Sequence, residues 1–332
     1  MTSEPQRTLD VLALGEALVD LISERVVDSL ADATGFNRFV GGEVTNVALN
    51  VAKLGGRSAV IACVGDDGFG QFIRHELDLA TVGTDYLLAS SWAPTTLAVN
   101  ARQTMTPDFI IYRGADSAIS LEDGQQEAIH SSRIVHTSAF ALSREPARTT
   151  ILQAIKTARQ NGCLVSLDPN YHPRIWPDVA DFQSVLLEAY RSVSITKPSL
   201  DDCARLFGPS LSPLAYTERF LSWGPEIVAL TMGQQGVLLS TADGTVHRIK
   251  PSNAVVADVT GAGDAFWAGL LIALLDGYPP YEAACFGQMV AETKISVVGP
   301  LPKLPDRASL YQRLEETKEE LITKPPHDWL AD

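Results

Sequence analysis

At 332 residues, with 45% hydrophobic and 20% charged side chains, the chain has enough apolar material for a sizeable core and no compositional mark of disorder. Its formal charge of −14 excludes a general nucleic-acid or anionic-membrane surface, so a bound phosphate must be held locally, by backbone dipoles, a few cations and a metal. Cys63, Cys163, Cys203 and Cys285 are scattered in or beside apolar runs, which predicts buried thiols rather than a disulfide framework or zinc site. The polar start lacks the pattern of a signal peptide and no apolar run reaches membrane length, so a reducing cytoplasm is expected.

Residues 10–15 are a short apolar run ended by glycine, which predicts a buried strand. Gly15-Glu16-Ala17-Leu18-Val19-Asp20 follows, at a strand end where α/β folds place ligands. Asp20 there reads either as a solvated turn residue or as a ligand contact. Phe39-Val40-Gly41-Gly42-Glu43-Val44-Thr45-Asn46-Val47-Ala48 joins paired glycines to a Val47, Val51, Leu54 stripe, predicting exposed backbone N–H groups at a helix start. Residues 60–64 predict another strand. Gly65-Asp66-Asp67-Gly68-Phe69-Gly70 then reads as a turn into a helix over 71–79, since its spacing is not that of a dinucleotide turn. Thr96-Leu97-Ala98-Val99-Asn100 and Phe109-Ile110-Ile111-Tyr112-Arg113 are strand signals with no helix between them, predicting an antiparallel patch. Arg113 ends it, as a solvated arginine or a substrate contact.

Helix and strand then alternate: strand over 133–136, helix over 147–161, strand over 164–168. Such alternation predicts βαβ units and a parallel sheet. His136, on an apolar strand, reads as a satisfied core histidine. Asp168-Pro169-Asn170-Tyr171-His172-Pro173-Arg174-Ile175-Trp176 comes next. In Ser194-Ile195-Thr196-Lys197-Pro198-Ser199-Leu200-Asp201-Asp202, helix capping by Ser199 with acids in the first turn accounts for the letters unaided. Val228-Ala229-Leu230-Thr231-Met232-Gly233-Gln234-Gln235-Gly236-Val237 predicts a strand and a glycine turn. Helices are expected over 285–298 and 307–322.

Between these lies Asp258-Val259-Thr260-Gly261-Ala262-Gly263-Asp264, running into an apolar helical stretch over 265–275. A Gly-X-Gly turn opening a helix leaves N–H groups unpaired, and the helix dipole adds to their pull on an anion. Two glycines let the backbone approach a phosphate closely. Asp264 beside this hole has two readings: a helix-start carboxylate satisfying backbone donors, or a general base for a hydroxyl attacking a held phosphoryl group.

This stretch closely resembles the C-terminal signature of the PfkB sugar kinases, the ribokinase-like family, usually D-T-[TV]-G-A-G-D; only Val259 departs. The Gly41-Gly42 segment with Asn46 and Ala48 resembles the family's N-terminal signature, G-G-x-x-x-N-x-A. The resemblance extends from about residue 9 to about residue 305. It implies an α/β fold, a ribokinase-like three-layer sandwich with a mainly parallel central sheet and a small β-sheet lid. It also implies one domain over 1–332, with lid segments within about 16–40 and 95–115.

For the site, the resemblance implies Asp264 as catalytic base with Gly261, Ala262 and Gly263 as the anion hole. It puts the sugar against Asp20, Gly42, Asn46, Arg113, Asn170 and His172. Lys197, Ser199, Thr231, Gly233 and Gly236 would lie near the nucleotide, with Asp202 holding Mg²⁺ through water and Asp258 and Thr260 holding a monovalent cation such as K⁺. Three departures stand out: His172 replaces the usual Arg, Ser199 the usual Asn and Asp202 the usual Glu. The implied activity is ATP- and Mg²⁺-dependent phosphorylation of a small sugar, a ketohexose such as fructose favoured, in a homodimer formed through the lid and without nucleic acid or membrane. Alternatives are a 2-keto-3-deoxygluconate or nucleoside kinase, or a ligand-binding homologue without turnover. A P-loop kinase is excluded, because no G-x-x-x-x-G-K-[ST] occurs.

Overall fold

The computed structural model describes residues 7–102, 108–251, 254–297 and 299–330. Strands, in chain order, are β1 (Leu9–Leu14), β2 (Leu18–Val26), β3 (Phe36–Gly41), β4 (Ser58–Gly65), β5 (Leu87–Ser90), β6 (Leu97–Arg102), β7 (Phe109–Tyr112), β8 (Ser132–Ser138), β9 (Leu164–Asp168), β10 (Ile195–Thr196), β11 (Ile227–Thr231), β12 (Val237–Thr241), β13 (Val246–Ile249) and β14 (Ile322–Thr323). Helices are α1 (Glu43–Lys53), α2 (Gly68–Leu79), α3 (Asp123–His130), α4 (Ala147–Gln160), α5 (Val179–Tyr190), α6 (Leu200–Phe207), α7 (Pro213–Ser222), α8 (Ala262–Leu275), α9 (Pro280–Ile295) and α10 (Arg307–Leu321).

Ten strands form one sheet, ordered β14-β13-β12-β11-β10-β9-β8-β1-β4-β5. From β5 through β11 neighbouring strands are parallel, and β12, β13 and β14 extend that end as antiparallel hairpins. Every residue of β4 is buried, as a strand covered by helices on both faces requires. One apolar cluster joins the sheet to α3, α4, α5, α6 and α7; another joins it to α1, α8, α9 and α10. These are the two outer layers of a three-layer sandwich.

Four strands, ordered β3-β2-β6-β7, make the separate lid sheet. The antiparallel patch expected of residues 96–100 and 109–113 is the β6/β7 pair; β2/β3 is antiparallel as well, while β2 and β6, which join the two pairs, run parallel. Parallel pairing follows from β6 returning after the β4-α2-β5 excursion instead of through a tight turn. Element bounds also differ, most of all in three helices. Helix α2 starts at Gly68 because Asp67 caps it, accepting from the N–H groups of Phe69 and Gly70. Helix α9 starts at Pro280 and ends at Ile295, and α10 stops at Leu321, where Ile322 pairs with Ile249 as a short sheet edge.

From β1 the chain goes outward to β4 on one side and to β8 on the other. Crevices in α/β sheets form beyond the carboxyl ends of strands at such a reversal. Glu16 after β1, Ser138 ending β8, Asp168 ending β9 and Lys197 after β10 all gather there.

Candidate active site

Helix α8 starts on Gly261, whose φ of +73° is in the left-handed region that glycine tolerates best. Ala265, Phe266, Trp267, Ala268, Gly269, Leu270, Leu271, Ile272 and Ala273 are all buried, so packing anchors the helix, and of its first N–H groups that of Ala262 is held by the Val259 carbonyl at 3.1 Å. Asp264 sits in that first turn, and its Oδ2 accepts a 2.9 Å hydrogen bond from Asn46 Nδ2. The two glycine segments thus meet at one carboxylate.

Lys197 enters from the end of β10 and pairs with Asp168 at 2.7 Å, both almost fully buried. A Cβ on Gly263 would lie 3.4 Å from Lys197 Nζ, which puts the ammonium against the anion-hole loop. Burial alone would lower the Lys197 pKa, but Asp168, with Glu43 and Asp264 nearby, outweighs it and raises it. Lys197 is therefore a fixed positive charge facing the turn.

The carboxylates behave in the opposite sense. Burial raises Asp264 to about 6, against the lowering effect of Asn46 and Lys197. Asp20, on β2 of the lid, is raised to about 7 by burial, with the Asp264 charge adding to it. Asn100 Nδ2 donates to Asp20 Oδ1 at 3.2 Å, and a Cβ on Gly41 would meet Asp20 Oδ2 at 2.2 Å, so only glycine leaves room for that carboxyl. Gly42, with φ of +100°, caps α1, and a Cβ there would strike the Glu16 carbonyl at 2.5 Å.

Sequence reasoning left the role of Glu43 open and gave Glu16 none. Both are buried beneath the site. Glu16 accepts from the Glu43 N–H at 2.8 Å and from the Ser138 hydroxyl at 2.8 Å, and burial raises it to about 7. Glu43 Oε1 meets His136 Nε2 at 2.9 Å, while His136 Nδ1 accepts from Trp267 Nε1 at 2.9 Å and lies 2.6 Å from Ser166 Oγ. Burial lowers His136 to about 3 and raises Glu43 well above its ordinary value, so the contact is a neutral hydrogen bond rather than an ion pair. The core-histidine reading of His136 agrees with this; its partners come from three distant elements.

The remaining candidates fall into two groups. Ser199 caps α6 reciprocally with Asp202: the Asp202 N–H donates to Ser199 Oγ, and Asp202 Oδ2 accepts from the Ser199 N–H and hydroxyl. Asp202 is raised to about 6 by burial and by Asp168, and its Oδ1 stands 3.8 Å from Arg205. Thr231 ends β11 and its N–H donates to the Pro198 carbonyl, which places it beside Ser199. Gly233, with φ of +53°, has open space where a Cβ would stand, but a Cβ on Gly236 would strike the Ile249 carbonyl, so Gly236 serves the β12-β13 hairpin.

On the sugar side, Asn170 is exposed with φ of +32° and bonds back to Asp168 Oδ1 through its N–H. His172 stacks edge-on against Phe109 of β7, and Arg174 Nη1 donates to Asp108 Oδ1 at 3.3 Å and to the Phe109 carbonyl. This segment holds the edge strand of the lid. Arg113 is committed to buried Asp116, with Nη1 donating to Ser143 Oγ at 2.7 Å, and lies over the Phe140 ring. A cavity of about 340 Å³ opens among Phe109, Ile111, Arg113, Arg144, Arg174 and Ile175. Asp258 accepts from the Thr260 N–H at Oδ1 and from the Gly299 N–H at Oδ2, with Lys294 3.6 Å away.

A buried carboxylate in the first turn of a glycine-capped helix, with a buried lysine beside the turn, is an arrangement that phosphoryl transfer to a hydroxyl can use, and with this fold it points to a small-molecule kinase. Residues 8–307 match the family described as pfkB family carbohydrate kinase, and the chain belongs to that family. Among its relatives is an ATP-dependent 6-phosphofructokinase of Thermoanaerobacterium thermosaccharolyticum, 34% identical over 297 residues, covering 90% of this chain and 91% of the relative. Among solved structures, Halothermothrix orenii fructokinase is 35% identical with a TM-score of 0.75, covering 88% of this chain and 99% of that one. A sugar kinase of Pyrococcus horikoshii in complex with ATP is 27% identical with a TM-score of 0.79, covering 91% and 97%. The chain is a sugar kinase, a phosphotransferase with an alcohol group as acceptor.

Proposed function

We propose that this kinase transfers the γ-phosphoryl group of ATP to a primary hydroxyl of a ketohexose, with fructose the leading acceptor. The observation that carries the reading is the Asn46–Asp264 hydrogen bond, which sets the base at the mouth of the anion hole. Asp264 takes the hydroxyl proton as the oxygen attacks in line. The N–H groups of Gly261 and Gly263 and the Lys197 ammonium stabilise the charge spread over the equatorial phosphoryl oxygens, while the Ala262 N–H is held by the Val259 carbonyl at 3.1 Å. Asp20 and Asn100 hold the sugar hydroxyls from the lid. Thr231 and Gly233 line the phosphate path.

Asp202 is the residue to hold Mg²⁺ through water. Its Oδ2 is used by the cap, and its Oδ1, which shares the charge of Arg205 at 3.8 Å, is the oxygen left to offer, which suits a cation that keeps most of its water shell. The bound ion would supply charge neutralisation between the phosphates. The acid-rich cleft, with Asp20, Asp264, Glu16 and Glu43 all resisting ionisation, favours added positive charge.

A second reading has its own observation. The cavity beside β7 is lined by Asp108 with Arg113, Arg144 and Arg174; Arg113 and Arg174 are paired with Asp116 and Asp108, and Arg144 is the cation that favours an acceptor carrying a phosphate or carboxylate. The relative named as a 6-phosphofructokinase supports it. The test is ADP release across fructose, fructose 6-phosphate, 2-keto-3-deoxygluconate, ribose and nucleosides, with Arg144→Ala beside the wild type. Turnover of fructose that is indifferent to Arg144→Ala supports the neutral ketohexose. An acidic acceptor whose KM rises about tenfold in Arg144→Ala supports the second reading.

A further inference from the structure

Helices α8 and α9 cross at Gly269 and Gly287, so closely that a Cβ on Gly269 would come within 2.8 Å of the Gly287 Cα. That crossing delivers the last turn of α9 to the start of α8. Lys294 is the residue delivered: it is 4% exposed, and its Cε would lie 3.7 Å from a Cβ on Gly261, the first residue of the anion hole. The side chain runs under the glycine turn and ends 3.6 Å from Asp258 Oδ2. Among the described residues Nζ has no hydrogen-bond partner, so Asp258 is its charge partner.

The monovalent cation expected at Asp258 and Thr260 does not fit this arrangement. Both Asp258 oxygens already accept backbone N–H groups, from Thr260 at 3.0 Å and Gly299 at 3.3 Å. The nearby Ile295 carbonyl is taken by the N–H groups of Ala257 and Asp258. A metal ion placed there would face the Lys294 ammonium, whose charge is also felt by Lys53, itself donating from Nζ to the Leu301 carbonyl.

We propose that the Lys294 ammonium is a tethered replacement for a monovalent cation, a positioning residue that neutralises Asp258 and holds the turn at residues 258–261 in its anion-binding form without K⁺. The inference rests on the kinase reading of that turn. Its charge also reaches Asp264, which Lys294 helps keep ionised.

The test compares the full-length wild type with Lys294→Ala in KCl and in tetramethylammonium chloride at equal ionic strength, reading kcat/KM for ATP and the melting temperature of the ligand-free protein. The wild type should differ by less than about twofold between the two salts, while Lys294→Ala should lose about tenfold or more in tetramethylammonium and recover most of it in K⁺. Activation of the wild type by K⁺ of about tenfold overturns the proposal. So does full activity of Lys294→Ala in tetramethylammonium. If Lys294→Ala fails to fold, the wild-type salt comparison alone decides. If no acceptor turns over, the sugar-kinase reading fails separately, and the melting temperatures decide: stabilisation by K⁺ confined to Lys294→Ala supports the proposal, and any other pattern overturns it.

Discussion

Asn46 and Asp264, 218 positions apart, share a 2.9 Å hydrogen bond that ties the start of α1 to the start of α8. The bond favours the ionised form of Asp264, while burial works against it and leaves the pKa at about 6. That balance suits a base working near neutral pH.

Replacing Asp264 by Asn should lower kcat by about 10³ with the KM for ATP little changed. The same change removes a buried charge that the fold resists, so the ligand-free variant should be more stable at pH 8, by roughly 1–2 kcal/mol. ADP-release kinetics and thermal melting of both proteins check the two halves. A variant that keeps its turnover would remove Asp264 as the base.

Activity and stability should respond to pH with opposite signs. Below pH about 6 Asp264 takes up a proton, so kcat should fall roughly tenfold per pH unit. Glu16 and Asp20 at about 7 and Asp202 and Asp264 at about 6 all stand above their unfolded values. The folded state then holds more protons than the unfolded chain between pH 4 and 7. Their contribution to stability is fully present below about pH 4 and is lost as pH rises from there through about 7, while His136, lowered to about 3, works in the opposite sense and offsets part of it. The melting temperature of the ligand-free protein should therefore be higher at pH 5.5 than at pH 8, by roughly 3–8 °C. A flat or inverted profile would contradict it.

Gly41 leaves the space that the Asp20 carboxyl occupies. In Gly41→Ala the new methyl displaces Asp20, and the KM for the sugar should rise about tenfold or more while that for ATP stays put. Steady-state kinetics against each substrate separate the two effects.

Glu43, His136 and Trp267 form a buried chain of neutral hydrogen bonds. Glu43→Gln keeps an oxygen for His136 Nε2 and should leave stability within about 1 kcal/mol of the wild type. Glu43→Ala strands that N–H and should cost roughly 2–4 kcal/mol. Urea unfolding of both variants at pH 7 would show it.

Val26, Ile110 and Tyr112 are exposed on the lid, and β3 and β7 are its open edges. A dimer formed through this sheet would cover them. Light scattering should then give twice the chain mass for the wild type, and Ile110→Asp should shift it toward monomer.

The glycine turns were legible in the sequence because their chemistry is local: consecutive residues decide whether a helix start can expose its N–H groups to an anion. The alternation of β8, α4 and β9 was legible for the same reason, since apolar periodicity sets each element. Tertiary packing decided what those letters meet. Nothing near Asp264 names Asn46, and nothing near Asp258 names Lys294, which arrives only because Gly269 and Gly287 let two helices touch. His136 looked like a core histidine from its strand, yet its neutrality comes from burial among Glu43, Ser166 and Trp267. The parallel pairing of β2 with β6 and the addition of β14 to the sheet were decided the same way, by strands far apart in sequence coming to lie side by side. Local residue chemistry determined which groups could bind a phosphate; long-range packing determined their partners, their charge states and the direction in which each is shifted.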